Sequence, residues 1–196
     1  MSANESMEHA EHAEHAAGSN KKIALLIAVI ALFLALSEML GKGAQTESIG
    51  LNVETANLWA FFQAKSIRST TLQAAAEGLE AQSDAMTDPA AKAAATKRID
   101  AWRKTTARYE DDPETGEGRK QLSERAKHTE MERDLAMAKY HHFEIASAAF
   151  QIAIVLASAT IITSMITLAW VSGALAIAGI VFVAIGMFAP LSVHLM

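Results

Sequence analysis

The sequence predicts an all-α membrane protein with three transmembrane helices and an extramembrane α-helical bundle, a helical hairpin or three-helix arrangement, between the first and second spans. Three observations carry this. The 196 residues are 51% hydrophobic yet 20% charged, and both values hold together only if apolar and charged residues are segregated along the chain. They are: Lys22 is followed by "IALLIAVIALFLALSEML", and from Ile145 to Leu195 the only side chain able to carry charge is His194. Between the two apolar blocks lie helix-forming residues, with no run that alternates β-branched and polar side chains as a strand would.

Residues 1–22 read as an acidic tail without fixed structure. Its repeat "EHAEHAEHAA" sets His9, His12 and His15 among Glu8, Glu11 and Glu14, and imidazole and carboxylate are both metal ligands. On a helix, residues three apart step by about 60°, so the three imidazoles fan over about 120° and offer two ligands at a time rather than a closed set. They are the weak metal candidates of the chain. The expected state is a solvated tail, and no cofactor is expected.

Residues 23–41 form the first span, since the hydrocarbon core of a bilayer takes about 20 apolar residues. A cleaved signal peptide fits poorly: the preceding region is long and acidic apart from Lys21 and Lys22, and "GKGAQ" is a poor cleavage site. Glu38 is the only acid inside a span, two residues from its end at Leu40, and from there it reaches the interface.

Residues 45–144 are water-soluble in character, with fourteen Lys and Arg against seventeen Asp and Glu. The signs are interspersed, so no basic stripe marks a nucleic-acid footprint. Three helices are expected here: Glu47 to Met86, Pro89 to Tyr109, and Arg119 onward without a stop into the second span. In "MTDPAAKAAATKR", Asp88 caps a helix whose first position is Pro89. In "YEDDPETGEGRK", Pro113, Gly116 and Gly118 break the chain again. At 1.5 Å per residue the three reach about 60, 30 and 40 Å, so a sharp reversal near Asp88 is needed to bring the second back along the first. The seam is Ala-rich, through Ala74, Ala75, Ala76, Ala81 and Ala93 to Ala95. Such a face buries little area, which predicts a homo-oligomer that completes the core.

The second apolar block is long enough for two spans, residues 145–170 and 172–195. Trp170 suits a headgroup-level anchor, and Ser172 and Gly173 offer a place to reverse. Pro190 bends or ends the last helix at modest cost.

Two sets of side chains stand out as site candidates. "NLWAFFQAKSIRS" presents Trp59, Phe61, Phe62, Gln63 and Lys65 as an interaction surface, although aromatics at helical spacing more often form a core. "KYHHFEIASAAFQIAIVLAS" presents Ser147, Gln151 and Ser158 as an intramembrane polar face, although such groups more often bridge helices at about 1 kcal/mol each. An enzyme is not expected. No Gly-rich phosphate loop or nucleophile motif is present, and the absence of cysteine removes thiolate catalysis, disulfides and Cys-based zinc sites.

The stretches "NVETANLWAFFQAKSIRST" and "HHFEIASAAFQIAIVLASATIIT" resemble the bacterial membrane family catalogued as domain of unknown function 4337, over roughly Ile23 to Ala189. The resemblance implies a bacterial protein with this three-span layout and brings no activity, ligand or catalytic residue. The expected function is therefore a structural or interaction scaffold in the bacterial inner membrane. Its partners would be lipids, copies of itself and a protein not identified. The rival is a small transporter or channel component using the polar face of the second span. Counting positive charges near membrane ends, Lys42, Arg125, Lys127, Arg133 and Lys139 on the bundle side outweigh Lys21 and Lys22, which favours a cytoplasmic bundle.

Overall fold

The computed structural model describes residues 3–192, with side chains from residue 21 onward. The candidates His9, His12 and His15 therefore lie outside the described side chains. Four helices follow one another: α1 (Ala3–Asp84), α2 (Pro89–Glu110), α3 (Arg119–Thr163) and α4 (Ile166–Phe188). Among the described residues no strand occurs. Three of the helices, α1, α3 and α4, hold stretches long and apolar enough to cross a membrane.

The breaks fall where backbone chemistry requires them, with two departures from the sequence reading. Between α1 and α2, Asp88 is extended (ψ 117°) and its carboxylate accepts hydrogen bonds from the Ala90 and Ala91 N–H groups, with Pro89 at the helix start. The turn after α2 passes through Gly116 at φ +69°, a conformation open to glycine at little cost. The first departure is α1 itself: it begins at Ala3, inside the tail expected to lack fixed structure, and it runs unbroken through 41–47, where the sequence separates a span from a helix beginning near Glu47. Gly41 and Gly43 weaken a helix without stopping it. Thr46 donates its hydroxyl to the Lys42 carbonyl at 2.9 Å within the helix.

The second departure is the C-terminal hairpin. It turns at Ser164 and Met165, not at Trp170 to Gly173, so the second apolar helix ends at Thr163 and the third begins at Ile166. Trp170 and Gly173 lie within α4, and Ser172 is fully buried there, donating to the Ala153 carbonyl at 2.7 Å. Ser164 takes φ +55°, its N–H bonds the Thr160 carbonyl at 2.9 Å, and the Met165 N–H bonds the Thr163 hydroxyl at 3.4 Å. Thr163 and Ser164 thus serve the turn with their polar groups, and the shift divides the apolar block into two segments near the 20 residues that would cross a bilayer. Left-handed backbone costs a side-chain-bearing residue roughly 1–2 kcal/mol, so Ser164→Gly is expected to stabilise the hairpin by up to about 1 kcal/mol after the entropy of glycine is subtracted. The thermal midpoint in detergent should rise by a few degrees; a fall would show that the hydroxyl matters more than the strain.

The described chain divides into two compact units, residues 1–48 with 134–196, and residues 49–133. In the first, α1, α3 and α4 pack around Ile30, Ala146, Phe150, Ala153 and Ala176. Phe33 stacks on Phe150 with ring centroids 6.1 Å apart. Small residues set the spacing: a Cβ built on Gly179 would stand 2.6 Å from the Phe150 ring. In the second, Leu58, Leu122 and Ala126 form the core, with Trp59 and Phe62 packed on it. Ala76 and Ala95 are buried, Ala75 is half-buried, and Ala74, Ala81, Ala93 and Ala94 are exposed. The expected Ala seam is therefore split between an inner and an outer face.

Candidate functional site

In residues 49–133, the expected interaction surface proves to be mostly interior. The Trp59 indole N–H donates to Glu130 Oε1 at 3.0 Å, and its ring meets Phe62 edge-on at 5.5 Å. Lys65 is buried, its ammonium 5.0 Å from the Phe61 ring, 5.8 Å from Tyr109 and 3.5 Å from Glu117. Of the five residues, only Phe61 and Gln63 remain exposed. For Trp59 and Phe62 the more common reading of aromatics at helical spacing, a packed helix face, describes what they do.

The turn between α2 and α3 is tied by Asp112. Its carboxylate accepts from the Thr115 N–H and from Arg108, both at 3.4 Å. Burial pushes this carboxyl up, but the hydrogen bonds from Thr115 and the Arg108 guanidinium outweigh it and hold it below its ordinary 3.8. A depressed carboxylate stabilises the fold above its unfolded value and loses that contribution as pH falls through the folded one. Wild type and Asp112→Asn should therefore differ in thermal midpoint at neutral pH and converge below pH 3.8. A difference that persists in acid would assign the effect to packing.

The sequence reading missed the outward side of α1. Ile49, Val53 and Ile67 are 60%, 55% and 68% exposed, and Ala60 and Ala74 are exposed between and beyond them. With about 100° of rotation per residue these five fall within about 60° of one another, opposite the face that buries Leu58 and Ala76. No Asp, Glu, Lys or Arg from residue 49 to 85 falls on this stripe. The available signal was the seven-residue recurrence of Val53, Ala60, Ile67, Ala74 and Ala81, masked by the stronger aromatic run beside it.

In the other unit, the polar face expected on α3 is largely paired with α1. Ser147 donates to Ser37 Oγ at 3.1 Å, Ser37 donates to the Phe143 carbonyl at 3.0 Å, and both serines are buried. Gln151 Nε2 donates to Glu38 Oε1 at 3.3 Å, with both residues exposed. Ser158 joins neither, donating to the Ile154 carbonyl of its own helix. Ser147 and Gln151 are thus brought to one place and Ser158 is not. They border a groove of about 420 Å³ that Glu38, Lys42, Tyr140 and Glu144 also line. The Tyr140 hydroxyl donates to Glu144 at 3.2 Å. Lys42 makes no ion pair among the described residues. Nearby, His142 is buried, its Nε2 3.1 Å from the Pro190 carbonyl oxygen and its ring stacked on Phe182 at 6.2 Å. Among the described residues no group of three or more His, Asp or Glu is placed to hold a metal.

Comparison with curated proteins and with solved structures finds no match. Residues 19–189 match the family described as Domain of unknown function (DUF4337). That match takes in α2, α3 and α4 whole, both cores and the α1–α3 groove, so the chain belongs to this family.

Proposed function

We propose that this protein is a multi-pass membrane scaffold that pairs with a second copy of itself along the exposed face of α1. What supports the reading is the charge-free stripe of Ile49, Val53, Ala60, Ile67 and Ala74 on the side of α1 that faces away from its own bundle. Copies held in one membrane with the same orientation meet in parallel, so like residues face like residues. A stripe without charge avoids the repulsion that such pairing would impose, and small residues let two helices approach closely, as in a coiled coil. In this reading residues 49–133 stand outside the bilayer on the cytoplasmic side of a bacterial inner membrane, with lipids as the other partner. It assigns no catalysis, no cofactor and no nucleic acid.

The test is the mass of the full chain in detergent. Ile67→Glu should shift it toward monomer with helix content unchanged, whereas Gln63→Glu, beside the stripe, should not. Equal masses for wild type and Ile67→Glu would remove the proposal. The transport alternative has less behind it, because Ser147 is occupied by Ser37 and Ser158 by its own helix. Water-accessible labelling of cysteines placed at Ser147, Gln151 and Ser158 in turn would restore it.

A further inference from the structure

We infer that the groove between α1 and α3 binds the headgroup of an amine-bearing phospholipid, with Lys42 holding the phosphate and Glu144 the ammonium. The site goes beyond self-pairing and rests only on the part of that reading in which α1 crosses the bilayer. Its depth follows from the sequence. Twenty residues separate Lys22 from Lys42, about 30 Å of helix, which equals the hydrocarbon thickness. Lys42 then stands at headgroup level when Lys22 does so on the opposite side. Glu38 lies one turn deeper, and Glu144 and Tyr140 border the same groove from α3.

The chemistry of the groove has both signs at one bilayer edge. A carboxylate at this depth is costly unless a partner meets it, and Glu38 has only the neutral Gln151 amide among the described residues. Glu144 has the Tyr140 hydroxyl and the His141 ring, with His141 Nδ1 3.7 Å away. Lys42 lacks an anion. One zwitterion answers Lys42 and Glu144 together, since its phosphate supplies the anion and its ammonium donates to a carboxylate, in hydrogen bonds that are strong because both ends are charged, while Glu38 keeps the Gln151 amide and adds negative charge to the same groove. An anionic headgroup would answer Lys42 and meet two like charges. A lone cation would leave Lys42 unanswered. The volume of about 420 Å³ lies in the range of small-ligand sites, about 300–1,000 Å³. The floor is already closed, because Ser147 and Ser37 spend their hydroxyls on each other and on the Phe143 carbonyl. Acyl chains leaving the groove would run along Ile152 and Val155, which are 54% and 66% exposed on α3.

The full chain, delipidated in detergent, is titrated with phosphatidylethanolamine and with phosphatidylglycerol and read by native mass spectrometry. Phosphatidylethanolamine should bind at least tenfold more tightly, a ratio equivalent to about 1.4 kcal/mol. Glu38→Gln with Glu144→Gln should erase the preference, and Lys42→Gln should weaken both lipids while circular dichroism stays unchanged. Equal binding of the two lipids by wild type, or a preference that survives the double variant, would overturn the site. Displacement of the lipid by equimolar soluble glycerophosphoethanolamine would overturn the lipid as its ligand. Alkaline extraction of native membranes separates the two readings. A chain released by alkali refutes the span itself, whereas a retained chain without headgroup preference refutes only the groove.

Discussion

Gly179→Ala is expected to lower the stability of the membrane-type unit by about 1–3 kcal/mol, the usual cost of forcing extra volume into a packed core. One methyl group is enough because of what it would meet. A Cβ at residue 179 would lie 2.6, 2.8 and 3.0 Å from three atoms of the Phe150 ring, where carbon atoms prefer about 3.5–4.0 Å. Phe150 has nowhere to go. It is fully buried, stacked on Phe33 and surrounded by Ala146, Ala153 and Ala176. Gly173 is the internal control, since it lies on the same helix and a Cβ there meets nothing within 4 Å. Thermal unfolding in detergent should separate the two alanine variants by several degrees, with Gly173→Ala at or above wild type. Phe150→Leu should recover part of the loss in the Gly179→Ala background, because the two substitutions share one contact and cannot add independently. Equal midpoints for the two alanine variants would show that the hairpin is not held by this contact.

The contrast between those glycines shows what the sequence reveals and what it withholds. Segregation of charge and apolarity is a one-dimensional property, so three candidate spans and an all-helical chain are legible from it. The Asp88 and Pro89 start and the Gly116 turn were legible too, because capping and positive φ are local chemistry. The hairpin was not. Trp170, Ser172 and Gly173 carry stronger turn signals by residue type than Thr163 and Ser164, and nothing local shows that Ser172 must face Ala153. Only the packing of α3 against α4, which sets residue 150 against 179 and 153 against 172, places the turn between them, ahead of Trp170. The same limit applied to the polar face of α3. Ser147 and Gln151 were visible as polar residues in an apolar run, but their partners Ser37 and Glu38 lie more than a hundred positions away. Helical spacing of aromatics pointed to a core at Trp59 and Phe62, but the exposure of Ile49, Val53 and Ile67 depends on which side of α1 the other helices cover, and no local signal carries that.

Leu122→Ala should cost residues 49–133 about 2–5 kcal/mol, the range for emptying a buried leucine site. This unit has little reserve against such a loss. Of the largest fully buried side chains described, Leu122 is the one that falls in it. Its neighbours Leu58 and Ala126 are joined by Trp59 and Phe62, which are only partly buried. Much of the remaining inner face is Ala76, Ala95, Ser69 and Ser83, and small side chains bring little transfer free energy with them. Nor can ion pairs make up the difference. Glu117 beside Lys65 and both partners of Arg103 with Glu80 are about half exposed, where such pairs contribute about 0–1 kcal/mol. Hydrogen exchange followed by mass spectrometry reads the effect segment by segment. Amides of 49–133 should lose protection in Leu122→Ala while those of 23–40 keep theirs, and Leu122→Met, which conserves volume, should stay near wild type. A loss below about 1 kcal/mol would mean that the leucine site collapses around the smaller side chain, and that Trp59 and Phe62 rather than Leu122 hold the unit together.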